Sequence, residues 1–259
     1  MAERKIPSYK EPPVTEVAVG VTLPVLPLQT RHIGEFWTEI RKDYPITEDV
    51  APIPSGVFSR PIEVTLLQMP PLRRVFMKTE NQEYILQIQE GRFLTNWRKH
   101  PAEAPYPRYT AVLARFLKSW ESYAEFLKRN ELTISEPTGY ELTYVNELEA
   151  PSDADINALV KSLDWKGLQP TEILTQPPQM ANISWSFLLP ESKGTMNVSV
   201  NRSERPQGPA AALLVLSCVG PSSAGYSLRE WFDTAREWIV RGFTDLTTDE
   251  AHRIWKREA

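Results

Sequence analysis

The side chains best suited to hold a ligand fall in residues 87–99, Gln87-Ile-Gln89-Glu-Gly-Arg92-Phe-Leu-Thr-Asn96-Trp97-Arg98-Lys99. Tyr84, Leu86 and Ile88 alternate as one apolar face of a strand, so Gln87 and Gln89 project from the other. Arg92, Asn96, Trp97, Arg98 and Lys99 would then gather at the strand's end, with Arg108 and Arg115 following on the helix side. Guanidinium forks, amides and an indole together suit recognition of phosphate, carboxylate or a peptide backbone. A plainer account has Trp97 packed beneath the next helix and the arginines paired with nearby acids. A second polar group, Glu141, Tyr144 and Asn146, lies midway along the chain. It supplies either polar teeth on an open sheet face or hydrogen bonds that fasten one half to the other, and its position at the junction favours fastening.

Other chemistries find little material. His32, His100 and His252 are far apart, and none has a second His or Cys at ligand spacing, so no metal site is expected. Cys218 sits in the apolar run 213–219 without an activating base, and no G-x-S-x-G elbow is present. Neither a Walker loop nor G-x-G-x-x-G follows a strand, and the 11 glycines could build little of a nucleotide site. The pairs Asp153/Asp155 and Asp249/Glu250 fall at helix starts, where the helix dipole accounts for them. No catalytic residue and no cofactor is expected.

The elements that would position these residues repeat. Val17, Val19, Val21 and Leu23 alternate as a strand, and Thr30 can cap a helix carrying Ile33, Phe36, Trp37 and Ile40. Residues 45–60 read as a Pro-rich connection. Strands follow at 62–66, 74–79 and 84–89, with Asn81-Gln82 as the turn between the last two. Tyr109, Val112, Leu113, Phe116, Trp120, Tyr123 and Leu127 form the stripe of a long helix. The order then restarts: a strand at 140–145, a helix capped by Ser152 with Ile156, Leu159, Val160 and Leu163, and two strands around Ser192-Lys193-Gly194. The run 212–219, apolar on both faces, reads as a central strand. Ser227 and Glu230 form a capping box for a helix that Gly242 loosens, and a second box at Thr247 and Glu250 opens a terminal helix.

The expected fold is therefore α+β, a duplicated β-α-β-β-β-α unit with mainly antiparallel sheets and long helices on one face. The halves are residues 1–135 and 136–259, the second with an extra C-terminal helix, in one continuous pseudo-symmetric structure.

At 259 residues the chain can bury a core without staples, and its 23 prolines punctuate elements rather than form a tract. One cysteine, no apolar leader and no membrane-length apolar run point to a soluble, cytoplasmic protein. The net charge of −4 gives no overall footprint for nucleic acid. Residues 1–135 hold 18 basic and 16 acidic side chains against 11 and 17 in residues 136–259, so a local basic patch fits only the first half.

Four segments resemble a sporadically distributed family of uncharacterised bacterial proteins. These are Tyr9-x-x-Pro12-Pro13-Val14-x-Glu16-Val17, the run from Gln87 through Arg92-Phe93-x-x-Asn96-Trp97-Arg98 with Tyr106-Pro107-x-Tyr109, Glu141-Leu-Thr-Tyr144-Val-Asn146, and the close with His252 and Trp255. The resemblance spans the chain and implies a gene of the accessory kind, mobile or defence-associated, without an activity to transfer. The expectation is a non-enzymatic protein that binds another protein on a sheet face or in the groove between its halves. The alternatives are nucleic acid on a curved sheet, with Arg92, Arg98, Lys99 and exposed glutamines as contacts, and a small-molecule or enzymatic site between sheet and helix.

Overall fold

The computed structural model describes residues 5–51, 73–100, 104–132, 136–150, 158–161, 180–203, 210–222 and 225–258. It is α+β, with a large antiparallel sheet and, among the described residues, three helices longer than six residues. The chain divides into two compact units, residues 17–141 and residues 1–16 with 142–259. The expected strand at 62–66 and the connection through Pro170, Pro177 and Pro178 lie outside the described residues. So do Ser152, Asp153, Asp155, Ile156 and Leu163 of the expected second helix.

In the first unit, β1 (Val14–Thr22) buries Val17, Val19 and Val21 completely, as their alternation predicts. Helix α1 (Thr30–Ile40) follows, with Gln29 rather than Thr30 at its N-cap: the Gln29 amide donates to His32 Nδ1 at 3.0 Å. The Pro-rich connection expected at 45–60 contains a strand, β2 (Ile46–Val50), paired antiparallel with β3 (Arg74–Lys78). Four of its five residues are exposed, so no apolar alternation marks it. β3 leads through the turn at Gln82 (φ 57°) to β4 (Tyr84–Gln89).

The residues expected to cluster at the end of β4 instead form a further strand, β5 (Arg92–Arg98), whose full length pairs with β4. The described order is thus β-α-β-β-β-β-α, one strand more than the expected repeat, and the strands lie in the order β2-β3-β4-β5-β1. Helix α2 (Tyr109–Arg129) buries Tyr109, Val112, Leu113, Phe116, Tyr123, Phe126 and Leu127, the stripe that its 3.6-residue period dictates. Its rings close on β5 and α1: Phe93 stacks on Tyr123 at 4.7 Å, and Phe36 meets Tyr123 at 5.0 Å and Phe126 at 5.3 Å.

In the second unit the strand order is β6-β9-β8-β7, with β6 (Gly139–Ala150), β7 (Met180–Leu188), β8 (Thr195–Ser203) and β9 (Ala210–Pro221). β9 is interior to the sheet, as its apolar run predicted, and Leu214, Leu216 and Cys218 are fully buried. Its other face is not: Leu213 is 41% exposed. Helix α3 (Leu228–Leu246) begins at the Ser227–Glu230 capping box and runs through Gly242 unbroken. That glycine answers a packing need, since a Cβ there would come within 2.8 Å of Met196 Cε on β8.

The last helix, α4 (Asp249–Ile254), is capped by Thr248, whose Oγ1 accepts from the Ala251 amide. Thr247, the expected cap, spends its hydroxyl hydrogen on the Phe243 carbonyl at 2.6 Å. The N-terminal segment belongs to this unit because its backbone pairs with the C-terminus: Lys10 N donates to Lys256 O, Glu11 N to Trp255 O and Glu258 N to Ser8 O. Tyr9 then enters an aromatic cluster with Phe243, His252 and Trp255.

Candidate functional site

The pleat of β5 divides the candidate residues. Register places Phe93, Thr95 and Trp97 on the face that carries Leu86 and Ile88, while Arg92, Leu94, Asn96 and Arg98 share the other with Gln87 and Gln89. Gln87 and Gln89 therefore project away from the α2 side, as expected, but they are buried rather than exposed, as is Asn96. Gln87 Nε2 donates to Asn96 Oδ1 at 2.8 Å. Trp97 is 1% exposed, its ring 5.2 Å from that of Tyr106, over which the Arg108 guanidinium lies at 5.9 Å. Arg108 is also the N-cap of α2, with φ at 73°. Of the eight candidates three are exposed, Arg98 and Lys99 at the end of β5 and Arg108 at the start of α2. An indole and amides presented together to solvent is not what this register makes.

Arg92 has a protein partner. Its Nε donates to Glu141 Oε1 at 3.0 Å and its Nη2 to Oε2, a two-point pairing of side chains 12% and 8% exposed. The pair spans β1 at Gly20, where a Cβ would lie 2.7 Å from Leu94 Cγ and 3.1 Å from Glu141 Oε1. Glu141 thus serves the first unit. Asn146 serves the second, where its Nδ2 donates to the Leu214 carbonyl of β9 at 3.0 Å, and Tyr144 is buried on the same strand.

A surface that residue types had not marked lies on β7, β8 and β9. Register sets Asn182 opposite Asn201 and Leu213, Ser184 opposite Ser199 and Val215, and Ser186 opposite Asn197 and Ser217. Asn182 Nδ2 donates to Asn201 Oδ1, Asn201 Nδ2 donates to Ser199 Oγ at 3.2 Å, and Ser217 Oγ meets Thr143 Oγ1 at 2.7 Å. Alternate residues, Ile183, Trp185 and Phe187, pair with the buried Val200, Val198 and Met196.

Among the described residues β7 ends the strand order, and its nine residues include no charge. Asn182, Ser184, Ser186 and Phe187 are exposed, and Leu188 is 80% exposed. In the first unit the outermost strand, β2, is guarded in the usual way by charge. There Glu48 pairs with Lys78 at 2.5 Å and Asp49 with Arg73 at 2.8 Å.

Among the described residues no three His, Cys, Asp or Glu side chains converge on a metal position. No described helix is long and apolar enough to cross a membrane. Burial pushes the Cys218 thiol up to about 12, so it is not a nucleophile at neutral pH. His32 caps α1, and His100 is exposed.

His252 is buried with a fixed tautomer. Thr247 donates elsewhere, so His252 Nε2 must donate to it at 2.9 Å, which leaves the Nδ1 lone pair facing Arg257 Nη1 at 3.4 Å. Burial first, then the Arg257 charge and more weakly Lys161, hold the imidazole below its ordinary 6.5, against Asp249 and a backbone hydrogen bond. Below pH 6.5 the unfolded chain therefore takes up a proton that the folded one refuses. Stability is full above that pH and falls as pH drops toward the lowered folded value, by at most about 1.4 kcal/mol per pH unit. Urea midpoints measured from pH 7.5 to 5 are expected to decline less for His252→Gln than for the wild type.

No family model matches the chain, and neither does any curated protein.

Proposed function

We propose that this is a non-enzymatic binding protein that takes up an extended segment of another protein along β7. The observation that carries the reading is an edge strand of nine residues without charge, whose outward Ser and Asn side chains are exposed. Such an edge offers a row of backbone donors and acceptors to an incoming strand, and natural proteins ordinarily block it with Lys, Pro or a bulge. Asn182, Ser184 and Ser186 would give hydrogen bonds beside the new ladder, and Leu188 an apolar anchor. Nucleic acid is the weaker reading, because the rows facing outward from β7, β8 and β9 carry no Lys or Arg to neutralise phosphate.

The sheet orders support reading the units as duplicates: β3-β4-β5 ends beside β1 and β7-β8-β9 ends beside β6, each meander followed by a long helix. Membership of the sporadic bacterial family, helices on one sheet face and a cytoplasmic setting belong to the same proposal.

Selection of linear peptides from a display library tests it. The expected winners are extended segments that slow amide exchange in β7. Ser184→Lys/Ser186→Lys, which guards the edge as Glu48 and Asp49 guard β2, should weaken them by about ten-fold or more. Winners indifferent to that variant, or capture of nucleic acid that competes with them, would sink the reading.

A further inference from the structure

A second site lies in the first unit, where the chain leaving α1, the β3–β4 turn and the flank of α2 enclose an open polar depression of about 540 Å³. Its lining includes Lys42, Asp43, Thr79, Glu80, Asn81 and Arg115. Arg115 is held rigidly. Its guanidinium carbon lies 4.1 Å from the centre of the Tyr84 ring and 5.3 Å from that of Tyr44, and its Nε donates to Tyr44 Oη at 3.1 Å. Tyr44 is itself 4% exposed, and its backbone carbonyl accepts from Trp37 Nε1 at 3.0 Å, so the clamp is anchored in α1. Asn81 is fixed as well, accepting from Thr79 Oγ1 at 2.7 Å and donating to Glu83.

The orientation of Arg115 is therefore set by protein contacts, whereas among the described residues none accepts from its Nη groups. Most surface arginines either lie along the surface or pair with a carboxylate. This one does neither, although Asp43 and Glu80 line the same depression. Lys42, Asp43 and Glu80 are exposed, and among the described residues their charged groups form no ion pair. A pre-set fork with its Nη donors unspent is arranged for a planar acid. Two carboxylates in the same small lining would repel a polyanion and would welcome a cation.

We propose that this depression binds a small zwitterion of the amino-acid type. Its carboxylate sits on the Arg115 fork with Lys42 alongside, and its ammonium faces Asp43 and Glu80. The two signs cancel within the lining, so neither a bare anion nor a bare cation is complementary to it, while a molecule carrying both is. The volume leaves room for a side chain beyond the two charged groups. This site is independent of β7 and would stand if the peptide reading failed.

The test follows the Arg115 Nε–H resonance by two-dimensional NMR during titration with four probes: glycine, acetate, methylammonium and inorganic phosphate. Glycine, which carries only the two charges, is expected to saturate the shift at a concentration at least about ten-fold lower than acetate or methylammonium. Arg115→Lys keeps a cation but loses the fork, and should weaken glycine by about ten-fold, as should Asp43→Asn/Glu80→Gln. Unchanged urea midpoints would confirm that these substitutions leave the fold intact. Acetate or phosphate binding as tightly as glycine would overturn the zwitterion, and the absence of a saturable shift with any probe would overturn the site.

Discussion

Replacing either Arg92 or Glu141 by alanine is expected to destabilise the protein by about 3–5 kcal/mol, the usual cost of stranding one charge of a buried pair. The side chains are 12% and 8% exposed and meet through two hydrogen bonds. Taking away the guanidinium leaves a carboxylate between Leu94 and the backbone at Gly20 with little water to replace it. In urea the midpoint should fall by on the order of 1 M. The double replacement Arg92→Leu/Glu141→Leu removes both charges together and should recover most of the loss, since a buried ion pair and a hydrophobic pair of similar volume differ little in free energy. Single variants no less stable than the wild type would show that water reaches the pair and screens it.

The result also governs how binding experiments are read. Arg92 is, by its residue type and neighbours, the natural choice for removing a ligand-binding cluster. Its fork is spent on Glu141, so an Arg92→Ala variant that loses a partner has in the first place lost stability. Arg98 and Lys99 are the members of that segment whose removal tests an electrostatic surface without this confusion, because both are exposed.

Where side-chain period carried the information, the sequence was readable. β1, β4 and α2 follow their alternations or stripes, and the Ser227–Glu230 box sits where its spacing put it. β5 escaped because its pleat inverts the usual chemistry. Thr95 is on the inner face at 0% exposed, while Leu94 shares the opposite face with Arg92 and Asn96. Alternation of apolar and polar types is thus broken at its centre, and the segment resembles a polar cluster. β2 escaped for the opposite reason: an edge strand needs no apolar face, and Ile46-Thr-Glu-Asp-Val50 spends its charges on Lys78 and Arg73.

The site residues were harder to read than the elements. Arg92 and Glu141 are 49 positions apart, on β5 and β6, and only the placing of β1 between those strands brings them together. Arg115 stood out merely as another basic residue, since Tyr44 and Tyr84 come from a loop and a strand remote from it in sequence. The charge-free character of 180–188 was visible throughout. That it forms an edge was not, because edge position follows from pairing and not from composition.

Gly194→Ala and Gly220→Ala are each expected to cost more than about 3 kcal/mol, because both put a methyl group into backbone. At Gly194, with φ at 124°, a Cβ would lie 2.0 Å from the Val219 carbonyl oxygen and 2.5 Å from Gly220 Cα. At Gly220 it would lie 1.9 Å from the Lys193 carbonyl oxygen and 2.9 Å from Trp231 Nε1. No rotamer relieves contacts of this kind, so the turn must open. The same carbonyl of Lys193 accepts from Trp231 Nε1 at 2.8 Å, which ties the turn to a tryptophan 1% exposed on α3. Opening the turn therefore frees the indole, and Trp231 fluorescence should report it. The two substitutions break one contact, so the double variant should cost less than the sum of the singles. The consequence for function follows from topology: β7 ends the strand order and is held to the sheet through β8, into which this turn leads. A Gly194→Ala protein that still folds should bind extended peptides more weakly than the wild type while the Arg115 depression, in the other unit, keeps its affinity for glycine. Equal loss at both sites would point instead to general unfolding.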